Sequence, residues 1–338
     1  MKIGLAVRRF GPVGGMEAVA FGFSRWLVSQ GHEVSLWSAD LSSNPKGMQV
    51  HKLSVYGRGV IWKAHSLRRA LRTVPVEQYD GFVHFERGGH GGTYRAGAGC
   101  HASWVSRRGP RMGDGWLTDI DRQTMHDVKR VVVNSEMVQA EIVQQYGVPI
   151  ERVRLVRNGV DLARFRPGQK ANQPTILFPG GDVPRKGLRT ALEALCHIPS
   201  AEMHVLGHVS ASTKRWVRQL GVLERVKFIG RVPDPEKYMA SAHVLVLPTR
   251  YDPSSNAVLE AMACGVPVVT TEYDGSAELL PHSWMAIADP TDAKACAEVL
   301  VAVMNEKKLG ATCRAVAETH DQAESFAHLL AASTEGSA

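Results

Sequence analysis

The sequence predicts an α/β protein made of two consecutive doubly wound domains with parallel sheets. Two observations carry that expectation. Short apolar runs without helical period alternate with amphipathic segments through both halves, the pattern of repeated βαβ units. Between the halves lies a polar stretch without periodicity, "LARFRPGQKANQP", Leu162 to Pro174. The 338 residues fit about two domains at ~150 residues each. A hydrophobic content of 44% with 22% charged residues suffices for an ordinary core.

The elements follow in order. "KIGLAVRRF" is a short apolar run and predicts a buried strand. "GPVGG" is a glycine-rich turn. The next segment places Val19, Phe23, Trp26 and Leu27 on one helical face, and Gly31 closes it as a C-cap. "HEVSLWSA" is the second strand, which completes one βαβ unit. "RVVVNS" (130–135) is a strand, and Ser135 opens the helix after it, with Glu136 suited to the positive helix end. "RVRLVRNGVD" is a strand running into a turn. After the polar stretch the alternation restarts. "TILFPGG", "AEMHVLGH", "RVKFIGRV", "HVLVLPT", "VPVVTT" and "WMAIA" read as strands. "RKGLRTALEALCHI", "STKRWVRQLGV", "DPEKYMASA", "NAVLEAMACG" and "DAKACAEVLVAVMNEKK" read as helices, with more helix to the end. The expected domains are 1–161, a linker 162–174, 175–320, and a C-terminal helix 321–338 that returns to the first domain.

Composition excludes several classes. No apolar run reaches the ~18 residues of a membrane helix. Only Ile3 to Val7 are uncharged between Lys2 and Arg8, fewer than the roughly 7–15 residues of a signal-peptide core. A cytoplasmic protein is expected. The five cysteines are scattered without a C-x-x-C, which argues for reduced thiols and against a zinc cluster. The net charge of +7 admits nucleic acid, an anionic membrane or anionic substrates. No nucleic-acid reader motif accompanies it.

Each candidate motif follows a predicted strand, where open α/β sheets bind ligands. Gly14 and Gly15 in "FGPVGGM" open a helix, so their backbone can approach an anion. Arg185 and Lys186 in "PGGDVPRKGL" also sit at a helix start. Cations oppose the dipole there, and a diphosphate would offset the cost. In "YDPSSNAVLEAMACG" Asp252 lies in a loop, and Ser255 and Asn256 suit a helix N-terminus. Glu260 is the single acid of an otherwise apolar helix. A carboxylate among apolar neighbours needs donors, and vicinal sugar hydroxyls supply them.

Asp252 and Glu260 enclose seven residues and are followed by Ala-Met-Ala-x-Gly-x-Pro-Val-Val. With the upstream Arg-Lys-Gly and the N-terminal Gly-Gly, this resembles the GT-B retaining glycosyltransferases of family 4, the group 1 glycosyltransferases. "GPVGGMEAVAFGFSRWLVSQGHEV" and "TYRAGAGCHASWV" look like their lipopolysaccharide core glucosyltransferase branch.

The resemblance covers nearly the whole chain. It implies two Rossmann-like domains facing across a cleft and transfer of a hexose from a UDP- or GDP-sugar. The acceptor would be a hydroxyl of a cell-envelope glycan or lipid-linked molecule, with no metal and no cofactor. By motif position, Glu260 would bind the ribose hydroxyls and Asp252 the transferred sugar. Ser255, Asn256 and Ala257, with Arg185 and Lys186, would meet the diphosphate. Arg231 in "GRVPD" falls in the loop that contacts the base, and Gly14 and Gly15 approach the phosphate or the acceptor. His101 falls near the reacting carbon.

Three positions depart from the family pattern: Asp252 replaces the usual Glu, Gly181 replaces an Arg, and Ala98 replaces an Asp of the close branch. The same fold also serves sugar-nucleotide epimerases and non-catalytic nucleotide-sugar binders. "WKAHSLRRALR" (62–72) and "HASWVSRRGPRMGDGW" (101–116) interleave cations with Trp. They suit an anionic bilayer, with the protein peripheral on its inner face, or a phosphorylated lipid-linked glycan.

Overall fold

The computed structural model describes residues 1–12, 14–181 and 183–335. The chain divides into two compact units, 1–157 with 323–338, and 158–322.

In the first unit the chain runs β1 (Lys2–Phe10), α1 (Gly15–Ser29), β2 (Glu33–Leu41), β3 (Gln49–Lys52), α2 (Val60–Leu71), β4 (Gly81–His84) and β5 (Thr93–Arg95). It continues through α3 (His101–Arg108), α4 (Asp114–Asp127), β6 (Arg130–Val133), α5 (Glu136–Tyr146) and β7 (Val153–Leu155). The sheet order is β3-β2-β1-β4-β5-β6-β7, and every pairing is parallel. Helices cover the two faces of the sheet, and the apolar core divides into three clusters. Ser135 caps α5 by accepting from Val138 N–H at 3.2 Å. The loss of direction between β1, whose successors β2 and β3 lie to one side, and β4 on the other makes a topological switch point beside the Gly14 turn.

The second unit contains β8 (Thr175–Pro179), α6 (Leu188–Cys196), β9 (Glu202–Leu206), α7 (Ala211–Gln219), β10 (Val226–Gly230), α8 (Pro235–Ser241) and β11 (Val244–Val246). After these come α9 (Asn256–Ala263), β12 (Val268–Thr271), β13 (Ala286–Ile287), α10 (Ala293–Asn305) and α11 (Leu309–Glu318). The order β10-β9-β8-β11-β12-β13 puts the switch point between β8 and β11. The inner strands β8, β11 and β12 are buried along their whole length because helices cover both faces, and one continuous core fills the unit.

The last helix, α12 (Gln322–Thr334), packs in the first unit. Phe326 lies in the cluster with Phe23 and Leu27, its ring 5.6 Å from that of Phe23.

Two boundaries differ from the sequence expectation. The first unit ends at Arg157, not 161. The stretch 162–174 is not a free linker but part of the second unit. Phe165 is buried in its core, Ala171 N–H donates to Ser241 O at 2.9 Å, and Lys170 Nζ donates to Ala242 O at 2.8 Å. A polar segment can follow a core surface when its backbone finds partners there, and periodicity does not report this. The sequence reading also named no element between 42 and 129, where three strands and three helices lie. No helix among the described residues is long and apolar enough to cross a membrane.

Candidate active site

Eight of the eleven candidate residues gather on loops and a helix start that follow strands of the second unit. The loop after β8 sits at the switch point and depends on its glycines. Gly181 has φ +63°, and a Cβ there would lie 2.3 Å from His208 O. Gly187 has φ +77°, and a Cβ would lie 1.9 Å from Pro248 O. No side chain fits at either place, so the absence of an Arg at Gly181 is enforced by the backbone. Thr249 Oγ1 and Arg250 N–H both donate to Arg185 O, at 2.9 and 2.8 Å. This ties the loop to the one after β11. The Lys186 stem folds over Gly180, where a Cβ would lie 2.6 Å from its Cδ. Among the described residues the Lys186 ammonium has no hydrogen bond or ion pair.

Asp252 is buried and bound to Arg185, whose Nη1 lies 3.1 Å from Oδ2. The same nitrogen donates to Tyr251 O. Two candidates expected to meet different parts of a substrate therefore hold each other. The backbone of Asp252 is fixed as well: its N–H donates to Tyr273 O at 2.9 Å, and its carbonyl accepts from Gly275 N–H at 2.8 Å.

These bonds lead to a residue that the sequence reading missed. Asp274 is 1% exposed. Its Oδ1 accepts from Ser276 N–H (2.9 Å), Ser276 Oγ (2.6 Å) and Ser255 N–H (3.3 Å), and its Oδ2 accepts from Thr270 Oγ1 (2.8 Å). Burial first, and then the nearby Asp252 charge, push its carboxyl up to about 6. Asp274 thus fixes the N-cap of α9. The signal was present as Asp-Gly-Ser after a strand, a pattern for a side chain that accepts from the backbone two residues on.

In α9, Val258, Leu259, Ala261 and Met262 are buried, and Glu260 is half-buried. Among the described residues its carboxylate accepts no hydrogen bond and joins no ion pair. Burial pushes it up to about 7, against the charges of Arg164 and Lys186. Ser255 is the N-cap residue, and its hydroxyl makes no capping bond. Asn256 Oδ1 accepts from Asn158 Nδ2 at 2.7 Å, and Asn158 also donates to Ser254 O at 3.1 Å. Asn158 is a second residue that sequence reasoning missed, because nothing in the local pattern links it to a loop almost a hundred residues on. Ala257 is half-buried beside it. Arg231 is exposed just after β10.

The other three candidates lie in the first unit. Gly14 (φ +99°) is the N-cap of α1, and Gly14 and Gly15 are exposed. The Glu17 carboxylate reaches back over Gly14, where a Cβ would lie 2.5 Å from its Oε2. The helix end thus already faces an acid. His101 begins α3, with its Nε2 3.4 Å from Asp114 Oδ1. Burial, and then Arg87, hold its ring below the ordinary histidine range. Its N–H donates to Asp121 Oδ2 at 3.1 Å.

Asp119-Ile120-Asp121 spells Asp-x-Asp inside α4. Asp121 is committed to Tyr146 OH at 2.9 Å and to the Arg87 ion pair at 3.8 Å, while Asp119 pairs with Arg122 on the surface. Among the described residues no three His, Cys, Asp or Glu side chains converge to hold a metal.

Comparison with known proteins gives this site its family. The model described as "Glycosyltransferase Family 4" matches residues 13–164, and "Glycosyl transferases group 1" matches 173–306. The chain is 26% identical to an uncharacterized glycosyltransferase of Methanocaldococcus jannaschii, with 83% of each chain covered. It is 33% identical to a lipopolysaccharide core biosynthesis glycosyltransferase of Rhizobium meliloti, covering 31% of this chain and 32% of the relative. Among solved structures it is similar to WaaG, a glycosyltransferase involved in lipopolysaccharide biosynthesis, at TM-score 0.85 and 20% identity, covering 99% of this chain and all of the other. It is also similar to Anabaena HepE in complex with UDP-glucose, at TM-score 0.77 and 17% identity, with 98% of each covered. With two parallel Rossmann-like sheets and both family models matched in turn along its length, the chain belongs to the group 1, family 4 glycosyltransferases of GT-B fold.

Proposed function

We propose that the protein transfers a hexose, with retention and without a metal, from a UDP- or GDP-sugar to a hydroxyl of a cell-envelope glycan or lipid-linked acceptor. The observation that carries the reading is Glu260. A half-buried carboxylate with no donor among the described residues, raised to about 7, is an acceptor waiting for hydroxyl groups, and a ribose offers two adjacent ones. Among the described residues the Lys186 ammonium makes no hydrogen bond or ion pair, which suits it to a diphosphate. Asp252, held by Arg185, receives hydroxyls of the transferred sugar. The start of α9, from Ser255 to Ala257, faces the diphosphate, and Arg231 lies on the base side. Gly14, Gly15 and His101 serve the acceptor side. The HepE complexes with UDP and UDP-glucose support a nucleotide-sugar donor.

In the transfer, the bond from C1 to the β-phosphate oxygen breaks as Lys186, Arg185 and the α9 amides stabilise the departing diphosphate. The acceptor oxygen bonds C1 on the same face, and its proton passes to the leaving phosphate oxygen. No paired nucleophile is required. The enzyme works at the inner face of the membrane. The turn 109–113, with exposed Arg111 and fully exposed Met112, supports contact with anionic lipid there.

A thermal-shift screen against UDP, GDP, ADP and their sugar conjugates, with and without EDTA, tests the donor. The expected result is an EDTA-insensitive rise with one nucleotide family, and release of that nucleoside diphosphate only when acceptor is added. No shift with any of them, or a shift abolished by EDTA, overturns the reading.

A further inference from the structure

The two cation–tryptophan stretches have different fates in the first unit, and one of them builds a cavity. A groove of about 490 Å³ runs between α2, the edge strand β3 and its neighbour β2. It lies on the β2–β3 side of β1, and none of its lining residues belongs to the second unit.

Its floor and walls are held in place. Trp37 stacks on His51 with centroids 4.3 Å apart, and its Nε1 donates to Tyr79 OH at 3.0 Å. Tyr56 N–H donates to Ser66 Oγ at 2.8 Å, which ties the loop before α2 to the helix. Gly57 (φ +108°) packs on Trp62, where a Cβ would lie 2.8 Å from the Trp62 Cβ. The side chains on this frame are nevertheless open: Trp62 is 70% exposed and Tyr56 72%. Large rings on a fixed frame, left uncovered, are platforms for a ligand with an apolar face and a polar edge.

The edge is read by charge. Lys52 and Arg69 line the groove, and no acid does. Among the described residues neither cation is in an ion pair. Arg69 offers a planar fork to a carboxylate or phosphate, and Lys52 a point charge. Sugar rings combine a C–H face that stacks on aromatics with hydroxyls at the edge. The concave shape favours an object of one or a few rings over a flat bilayer, because the indole and phenol line the walls of a groove.

We propose that this groove is a second carbohydrate site, which binds an acidic oligosaccharide by stacking on Trp62 and Tyr56 and by ion pairing with Arg69 and Lys52. It is independent of the donor site proposed above.

The test is calorimetric titration of the full chain. The ligands are tetragalacturonate, neutral maltotetraose, inorganic phosphate and phosphatidylglycerol vesicles. Tetragalacturonate is expected to bind, more weakly as salt rises, with maltotetraose and phosphate at least tenfold weaker. Trp62→Ala should weaken it by about tenfold, Trp62→Phe should retain most of the affinity, and Arg69→Gln should weaken it and flatten the salt dependence. The thermal shift with UDP should be unchanged in all three variants, so failure here is separate from failure of the donor reading. No binding of tetragalacturonate overturns the proposal, as does binding that the variants leave unaltered. Binding only to vesicles, lost in Trp62→Ala, overturns it in favour of a membrane surface.

Discussion

Both units carry charged residues in the loops and helices that follow their strands, but they dispose of the charge differently. In the first unit the charges answer one another. Asp121 takes Arg87, Tyr146 and the His101 amide, while Asp114 takes Arg108 at 2.5 Å. Arg107 meets Glu141 at 2.7 Å. In the second unit Arg185 and Asp252 pair, yet among the described residues the side chains of Glu260 and Lys186 make no hydrogen bond or ion pair. A closed network stiffens a scaffold. An open one has donors and acceptors left for a substrate. On the proposed function, the chemistry belongs to the open side of this contrast and does not follow the density of charge, which is high in both units.

That contrast can be broken by substitution. The largest effect is expected from Lys186→Ala. Steady-state kinetics should show kcat lower by about 10²–10³-fold, the loss typical of one group stabilising developing charge, with a smaller change in nucleotide affinity. On the closed side, Asp121→Ala leaves Arg87 and the Tyr146 hydroxyl without their buried acceptor. It should cost about 3 kcal/mol in chemical denaturation and leave UDP affinity intact in the protein that stays folded. Loss of nucleotide affinity there, or an unaffected Lys186→Ala enzyme, would erase the distinction between the units.

Glu260→Gln should raise the nucleotide Kd about ten- to a hundredfold, from hydrogen bonds to a charged acceptor worth roughly 1.5–3 kcal/mol. The sign of its pH dependence also follows. With the folded pKa raised to about 7, the carboxyl is largely neutral at pH 6. Wild-type affinity should fall as pH drops through 7, and the Gln variant should lack that step. Stability runs the other way. The native state holds the Glu260 proton more tightly than the unfolded chain, so the unliganded protein loses stability as pH rises through 7. Calorimetric melts at pH 6 and 8 should show a smaller difference for Glu260→Gln. The mildest change is expected from Asp274→Asn. Its amide oxygen can still accept from Ser255 and Ser276, so affinity should move only severalfold at pH 8, while a titration step near 6 disappears.

The sequence makes the second unit easy to read and the first hard, for one physical reason. Strands such as Thr175–Pro179 and Val268–Thr271 are buried on both faces and appear as apolar runs. In the first unit β5 is only Thr93–Arg95, and its buried Arg95 carries no apolar signal. Its neighbours are glycine-rich, so 42–129 shows no period to follow.

The site divides in the same way. Glu260 stands out as the one acid in an apolar helix. Its partnerless state, the Arg185–Asp252 pair and the Asp274 anchor exist only once distant loops meet. The stretch 162–174 misled because polarity was taken for a linker, although its backbone finds a partner on α8 and its Lys170 side chain one at the residue after it.

The glycines of the loop after β8 have a consequence for how this enzyme can change. Gly181 and Gly187 leave no room for a single added carbon, and the loop between them carries Lys186. New donor preferences can hardly be written into that turn by ordinary substitution, because the first methyl group already displaces a neighbouring carbonyl. Variation in what the enzyme accepts must enter where side chains face solvent, at positions such as exposed His208 and Arg231. Lys186 stays fixed while the rim around it drifts.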